Sequence, residues 1–213
     1  MTTTAVLDVV RAGVPLASAR AAVVLLHGRG ATAEGMLALG GALGGKDIAL
    51  VAPQAPARSW YPRSFLAPFD QNEPYLSHAL GIVGETVDGL AREGLAPDRV
   101  LLAGFSQGAC LALEYAARNA RRYGGVAGFS GGLIGPEGTP RDDAGSLEET
   151  PVFLGCSDMD AHIPEARVHE SARALEALGG NVTTRIYPGM AHTVVDDEIR
   201  HVQRMLADIP PRS

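Results

Sequence analysis

The chain has 213 residues, 46% hydrophobic and 20% charged, enough to bury a sizeable core in a single domain spanning residues 1–213. Its net charge of −6 and scattered lysines and arginines provide no basic stripe for nucleic acid or an anionic membrane, so we expect neither as a partner. Without a signal-peptide pattern or an apolar run long enough to span a bilayer, the sequence predicts a cytoplasmic protein with no stable membrane insertion.

Short apolar runs alternate with segments of helical periodicity. The runs predict strands at 5–10, 21–27, 48–52, 100–102, 126–130, 152–156 and 182–187. The periodic segments predict helices at 34–43, 80–95, 109–122, 165–178 and 196–206. The run at 21–27 is apolar almost throughout, which is typical of a strand buried on both faces of a parallel sheet. This alternation predicts an α/β fold.

The segment 53–77 has a different character, with five prolines and five of the eleven phenylalanine, tyrosine and tryptophan residues. Proline excludes a central strand or a long helix, so the segment is predicted to be a long loop, and such loops are usually functional. Its large apolar residues are candidates for the wall of a substrate pocket. They are Trp60, Tyr61, Phe65, Leu66 and Phe69. The alternative is that they pack against the core and hold the loop in place.

A serine lies at the junction between a predicted strand and a predicted helix. Residues 104–108 read Gly-Phe-Ser-Gln-Gly, the pattern of a nucleophile elbow with Ser106 at the bend. The turn is so tight that the positions flanking it tolerate almost no side chain, which accounts for Gly104 and Gly108. The pattern predicts a serine hydroxyl presented at the carboxyl edge of a sheet.

A second segment matches the same pattern. Residues 128–132 read Gly-Phe-Ser-Gly-Gly and also follow an apolar run. The segment after Ser130 contains glycine and proline and cannot continue as a helix, whereas Ser106 is followed by good helix formers. Because the elbow needs that helix, we favour Ser106 and expect Ser130 to end a neighbouring strand.

A nucleophilic serine needs a base, and position along the chain separates the six histidines. His192 follows the last predicted strand at a Pro-Gly turn and is the predicted base. His27 ends a strand, and we expect its ring to hydrogen-bond a neighbouring loop. His169 and His201 lie in predicted helices and His78 lies at a helix start, where solvated surface positions are expected.

The base must be oriented by a third group. Asp158 and Asp160 both follow the strand at 152–156, and the residues themselves do not separate them. With either one, the order along the chain is serine, aspartate, histidine, which differs from the orders of the well-known serine proteases.

Charge that develops on the substrate oxygen needs hydrogen-bond donors, each worth about 2.7 to 4 kcal/mol of barrier lowering. The backbone N–H of Gln107, at the start of the helix after Ser106, is one predicted donor. The glycine-rich segment after the first buried strand is the predicted source of the second, and there we favour the backbone N–H of Arg29.

Four segments, in the same order, carry the motifs of one known family. They are Leu-His-Gly-Arg-Gly at 26–30, Gly-Phe-Ser-Gln-Gly-Ala at 104–109, Ser-Asp-Met-Asp-Ala-His-Ile-Pro at 157–164 and Tyr-Pro-Gly-Met-Ala-His at 187–192. They resemble the acyl-protein thioesterase-like group of carboxylesterases and lysophospholipases among the α/β-hydrolases. The resemblance implies a mostly parallel central sheet with helices on both faces. It also implies that Asp160, four residues before Pro164, is the catalytic aspartate and that Asp158 is a loop-stabilising neighbour.

The resemblance implies a serine carboxylic-ester hydrolase that acts on small or acyl esters through a Ser106 acyl-enzyme, without a cofactor. Acyl-protein thioesterase or lysophospholipase activity is the alternative. The chain departs from the family at Arg29 and Ala31, where leucine and aspartate are common, and in a longer, proline-rich loop at 60–75. The acyl and alcohol preferences therefore do not carry over.

Two other function classes compete with this hypothesis. Asp158, Asp160 and His162 alternate at a spacing that, together with His192, fits a metal-dependent hydrolase. A non-catalytic binding protein on the same scaffold is the second alternative. The metal-dependent alternative leaves the elbow at Ser106 unexplained, and the intact serine, aspartate and histidine positions argue against the binding protein. Cys110 and Cys156 form no metal or disulfide pattern and are expected to be buried thiols, and the apolar loops are compatible with a homodimer.

Overall fold

The computed structural model of the protein describes residues 8–212. The strands are β1 (Val9–Gly13), β2 (Ala21–Leu26), β3 (Ile48–Pro53), β4 (Val100–Phe105), β5 (Gly125–Phe129), β6 (Pro151–Ser157) and β7 (Asn181–Tyr187). Within the described residues they form one seven-stranded sheet in the order β1-β3-β2-β4-β5-β6-β7. β1 pairs with β3 in the antiparallel sense, and the other neighbouring strands are parallel. The mostly parallel sheet is as predicted.

Helices cover both faces of the sheet. They are α1 (Ala33–Leu43), α2 (Tyr75–Arg92), α3 (Gln107–Arg118), α4 (Glu165–Ala177) and α5 (Asp196–Ala207). α1 and α5 pack on one face, while α2, α3 and α4 pack on the other, so that an apolar layer lies on each side of the strands. β2 and β5 are buried at every residue, which explains why they read as continuous apolar runs. Across residues 8–212, none of the helices combines the length and the apolar character needed to cross a bilayer.

The largest errors in the predicted boundaries are in β1, at the start of α2 and at the end of α3. The first strand runs from Val9 to Gly13 instead of 5–10, and positions 5–7 lie outside the described residues. α2 begins at Tyr75, five residues before the predicted start, because Leu76 and Ala79 are buried and extend its apolar face. α3 ends at Arg118 instead of continuing to 122.

The strand order places the candidate residues at one edge of the sheet. β4 is the fourth of the seven strands, between β2 and β5, and the parallel strands all end at the same side. The connections after β2, β4, β6 and β7 therefore meet at that edge. In open α/β sheets this carboxyl edge is the usual position of a ligand site.

Glu198 on α5 carries a carboxyl group buried against the sheet. The residue is 0% exposed, and its Oε2 accepts a hydrogen bond from the Val195 N–H at 2.9 Å. Its Oε1 has no hydrogen-bond partner among residues 8–212 and occupies the space that a Cβ on Gly155 would fill. Burial raises the pKa of Glu198 to about 7.

Replacing Glu198 with glutamine is expected to change how stability depends on pH. Between the unfolded value of 4.5 and the folded pKa of about 7, the folded protein keeps a proton that the unfolded chain has released. The free energy of unfolding of the wild type should therefore fall across this range relative to E198Q, by about 3 kcal/mol in total. Urea unfolding of both proteins at about pH 5 and about pH 8 measures the difference. If the free energies of unfolding of the wild type and E198Q differed by the same amount at both pH values, the prediction would be contradicted.

Candidate active site

The turn that carries Ser106 is held tightly between β4 and α3. Ser106 has φ 55° and ψ −118°, a left-handed backbone conformation that costs about 1–3 kcal/mol for a residue other than glycine. A Cβ on Gly104 would overlap the backbone of Gly108, and a Cβ on Gly108 would overlap the carbonyl of Leu26. Both glycines are therefore required by the close approach of α3 to the strands, as predicted for an elbow.

The structure brings Ser106, His192 and Asp160 together in one hydrogen-bonded line. His192 Nε2 lies 2.9 Å from Ser106 Oγ, and His192 Nδ1 lies 2.6 Å from Asp160 Oδ2. The Asp160 side chain is 0% exposed and that of His192 is 23% exposed. A serine, an imidazole and a buried carboxylate in this arrangement can transfer the serine proton to the imidazole.

Backbone contacts determine which oxygen of Asp160 faces the histidine. Its Oδ1 accepts hydrogen bonds from the N–H groups of His162 at 2.8 Å and Ile163 at 3.1 Å, which leaves Oδ2 for His192. Burial raises the pKa of Asp160, but the hydrogen bonds from His192 and from these two N–H groups outweigh it, so the pKa lies below the ordinary value. Asp160 is thus a carboxylate at neutral pH, and its contact with Nδ1 requires the proton there. Nε2 is then free to accept the proton of Ser106.

Asp158 has a different role. Its side chain accepts a hydrogen bond from the Gly189 N–H at 2.8 Å and so ties the segment after β6 to the segment after β7. The two aspartates therefore contact different partners and do not converge on one position that a metal ion could occupy. In the described part of the chain, no three or more histidine, cysteine, aspartate or glutamate side chains converge as a metal ion would require. The geometry does not support the metal-dependent alternative.

Ser130 also follows a strand, but it is enclosed. The residue is 0% exposed, and a Cβ on the adjacent Gly131 would lie 2.5 Å from the Cβ of Ala109 on α3. Its Oγ has no hydrogen-bond partner among residues 8–212. Without a helix behind it or a base beside it, Ser130 is not placed as a nucleophile.

The segment with the predicted second oxyanion donor runs beside Ser106. A Cβ on Gly28 would lie 3.5 Å from the Cβ of Ser106, so the backbone around Arg29 is close to the serine. The N–H of Gln107 lies at the start of α3, directly after Ser106. Their roles as oxyanion donors stay predictions, and the geometry is compatible with them.

A comparison of sequence families identifies the chain. The model of the family described as phospholipase/carboxylesterase matches residues 10–209. The chain belongs to that family. This confirms the resemblance that the four motifs indicate.

Solved structures and curated proteins agree with this assignment. A phospholipase/carboxylesterase from Dyadobacter fermentans DSM 18053 is 44% identical, with a TM-score of 0.91 over 95% of this chain and 97% of its own. A Bacillus cereus carboxylesterase, 17% identical, shares the fold with a TM-score of 0.76 over 97% of this chain and 96% of its own. Acyl-protein thioesterase 1 of Gibberella zeae is 32% identical over 56% of this chain and 52% of its own length, so the chain spans about half of that relative.

The predicted α/β-hydrolase fold is therefore confirmed. The family and the curated relatives are of the esterase and thioesterase kind. The roles of the site residues, the single domain and the homodimer stay predictions.

In this member of the phospholipase/carboxylesterase family, a cavity of about 710 Å³ opens over Ser106 and His192. Of the five residues predicted to bind substrate, Tyr61 and Phe65 line this cavity. The other three are corrected: Trp60, Leu66 and Phe69 do not line it. Trp60 is buried, and its ring N–H donates to the His27 carbonyl at 2.8 Å.

Leu66 and Phe69 also pack away from the cavity. Both are partly buried against the main apolar cluster, and the Phe69 ring lies 4.9 Å beneath the guanidinium of Arg118 on α3. The aromatic loop, residues 54–74 between β3 and α2, thus combines the two alternatives. Two of its large residues line the cavity, and three pack against the rest of the protein.

The side chain of Gln107 is a feature that sequence reasoning missed. Its amide N–H donates to the Tyr61 carbonyl at 2.8 Å, and its amide oxygen accepts from the Trp60 N–H at 3.0 Å. Gln107 is buried, so the elbow holds the aromatic loop directly through two backbone hydrogen bonds. The sequence signal for this role is weak. A glutamine with a long amide side chain follows the serine, but the role expected of Gln107 involves only its backbone N–H.

The remaining histidines divide into structural and surface positions. His27 is 0% exposed, its Nε2 accepts from the Ala55 N–H at 3.1 Å, and burial lowers its pKa, as expected for a structural residue. His78 and His169 are exposed. The prediction for His201 is wrong: its ring stacks on Phe153 at 4.6 Å, its Nδ1 is buried, and burial lowers its pKa, because α5 turns this residue towards the sheet.

Proposed function

We propose that this protein hydrolyses carboxylic esters through a covalent acyl-enzyme on Ser106. The observation that carries the proposal is the hydrogen-bonded line from Ser106 Oγ through His192 to Asp160. A serine hydroxyl is a poor nucleophile until a base accepts its proton, and His192 Nε2 is in position to do so.

The first half of the reaction forms the acyl-enzyme. Ser106 Oγ attacks the ester carbonyl carbon while His192 takes its proton, and the buried Asp160 carboxylate stabilises the resulting imidazolium. The N–H groups of Gln107 and Arg29 bind the negative oxygen of the tetrahedral intermediate. The intermediate collapses when the C–O bond to the alcohol breaks and His192 gives its proton to the leaving oxygen.

The second half releases the acid. Water attacks the acyl carbon and gives a proton to His192, the same N–H groups bind the second oxyanion, and the bond to Ser106 Oγ breaks as the proton returns to it. The products are one alcohol and one carboxylic acid. Water is the only co-reactant, and it enters in the second half.

Thioester hydrolysis is the second candidate. It is supported by the acyl-protein thioesterase 1 proteins among the relatives, including that of Schizosaccharomyces pombe, 26% identical over 84% of this chain and 87% of its own length. The same residues would serve, since only the leaving atom changes from oxygen to sulfur. A matched pair of an oxygen ester and a thioester with the same acyl group separates the two activities.

A fluorophosphonate probe tests the proposed nucleophile directly. We expect one equivalent of probe to react with Ser106, to abolish ester hydrolysis and to appear on the peptide that contains residue 106 in mass spectra. EDTA should leave the activity unchanged. Activity that is lost to EDTA and resists the probe would favour metal-dependent hydrolysis, and absence of both labelling and hydrolysis would favour a non-catalytic binding protein.

A further inference from the structure

The cavity over Ser106 has an unusual charge for this protein. Two arginines, Arg29 and Arg63, contribute to its wall, and within the described residues no aspartate or glutamate lines it. The Asp160 carboxylate lies behind the wall, 0% exposed and engaged with His192. The chain as a whole has a net charge of −6, so the cavity is a positive region on an acidic protein.

Neither arginine is neutralised by a carboxylate in residues 8–212. The Arg29 guanidinium donates to three uncharged oxygens, those of the Ser59 hydroxyl at 3.1 Å, the Pro62 carbonyl at 3.0 Å and the Arg63 carbonyl at 2.7 Å. These bonds hold the guanidinium in place and leave its charge uncompensated. By contrast, Arg118 and Arg141 elsewhere in the chain both pair with Glu114.

Arg63 is the arginine whose side chain is available to a ligand. Its backbone is fixed, because its N–H donates to Asn72 Oδ1 at 2.8 Å and its carbonyl accepts from Arg29. Its guanidinium has no hydrogen bond or ion pair to any residue between 8 and 212, and the residue is exposed. A guanidinium fork matches the two oxygens of a carboxylate, and the interaction strengthens where a ligand displaces water from a cavity.

We propose that the preferred substrates are esters that carry a second, negatively charged group, such as a carboxylate, which Arg63 binds while Arg29 adds to the positive potential. This inference rests on the proposed ester hydrolysis at Ser106 and specifies its substrate class. Arg63 is then a specificity-determining residue, and the reaction at Ser106, His192 and Asp160 does not depend on it.

Two pairs of matched esters test the proposal from both sides of the scissile bond. 4-Acetoxybenzoate and 4-acetoxybenzamide differ by a charge on the alcohol side, and monophenyl adipate and phenyl adipamate differ by a charge on the acyl side. In at least one pair, the wild type should show kcat/KM roughly tenfold or more higher for the anion than for its neutral partner. High salt should reduce this preference.

Variants assign the preference to Arg63. R63Q should reduce the ratio of the two kcat/KM values by roughly tenfold, R63K should retain part of it through its charge, and R63E should favour the neutral ester. R92Q, which removes an exposed arginine from the far end of α2, is the matched control and should keep the wild-type ratio. The backbone bonds of residue 63 persist in all three substitutions, so the loop should stay folded.

The possible failures are distinguishable. If the wild type hydrolyses the neutral esters through Ser106 and shows no preference in either pair, or if R63Q keeps the wild-type ratio, the anionic-substrate inference is overturned while the proposed function stands. If Ser106→Ala hydrolyses both members of a pair as fast as the wild type, the proposed function itself fails.

Discussion

The Ser106→Ala variant is expected to hydrolyse a short p-nitrophenyl ester at least about 10⁴-fold more slowly than the wild type. The loss should be in kcat, because the methyl group cannot form the acyl-enzyme while the cavity that binds the ester is unchanged. The substitution adds no atoms to the turn, and alanine tolerates the local φ of 55° about as well as serine does. Release of p-nitrophenolate at saturating ester measures the effect, and the unfolding temperature verifies that the variant is folded.

Ser130→Ala is the matched control for this variant. Ser130 lies in the second Gly-x-Ser-x-Gly segment, also with a positive φ, of 52°, and it is fully buried. Because its Oγ has no hydrogen-bond partner in residues 8–212, its loss should leave kcat within about threefold of the wild type. The opposite pattern, with activity that survives Ser106→Ala and disappears in Ser130→Ala, would reverse the assignment of the two serines.

The choice between the two serines illustrates what local sequence can predict. Both pentapeptides follow an apolar run, and both serines adopt a positive φ in the structure. The difference lies in the following residues, because Ser106 is followed by α3 and Ser130 by a segment without a helix. A helix start is a local property with local sequence signals, so it was predictable without knowledge of the fold.

The strands and most helices were predictable for the same reason. A parallel strand buried on both faces must be apolar at nearly every position, and β2 and β5 fit this rule. The start of α2 was not predicted, because the apolar residue that extends its buried face, Leu76, follows a proline-rich loop in sequence.

The roles of the aromatic loop were beyond sequence reasoning. Whether Trp60 lines a pocket or pins a loop depends on one hydrogen bond to the carbonyl of His27, which is 33 residues earlier in the chain. Arg29 is a similar case, because its guanidinium is held by the carbonyl groups of Pro62 and Arg63, which follow it by 33 and 34 residues in the chain. Contacts between uncharged backbone atoms and distant side chains leave no pattern in composition or periodicity.

The two aspartates after β6 show how geometry separates residues that sequence does not. Asp158 and Asp160 are two residues apart, both precede the same turn, and only family resemblance favours the second. In the structure, Asp158 binds the Gly189 N–H, while Asp160 is buried beneath His192. This difference leads to opposite expectations for two chemically identical substitutions.

Asp160→Asn is expected to lower kcat by about 10⁴-fold while the fold is retained. Two backbone N–H groups, of His162 and Ile163, donate to Oδ1, so an asparagine must place its oxygen there and its NH₂ group towards His192. The NH₂ then donates to Nδ1, so the histidine proton moves to Nε2, which faces Ser106. A protonated Nε2 cannot accept the hydroxyl proton.

Asp158→Asn is the matched control, since its amide oxygen can still accept from the Gly189 N–H, and kcat should change by less than about tenfold. Steady-state kinetics with a short p-nitrophenyl ester, combined with unfolding temperatures, measures both variants. The expected loss in Asp160→Asn depends on the direction in which residue 160 presents its amide, and not on charge alone. If Asp160→Asn kept kcat near the wild-type value while Asp158→Asn lost it, the carboxylate that orients His192 would be Asp158, and the contact between Asp160 Oδ2 and His192 Nδ1 would have no role in the reaction.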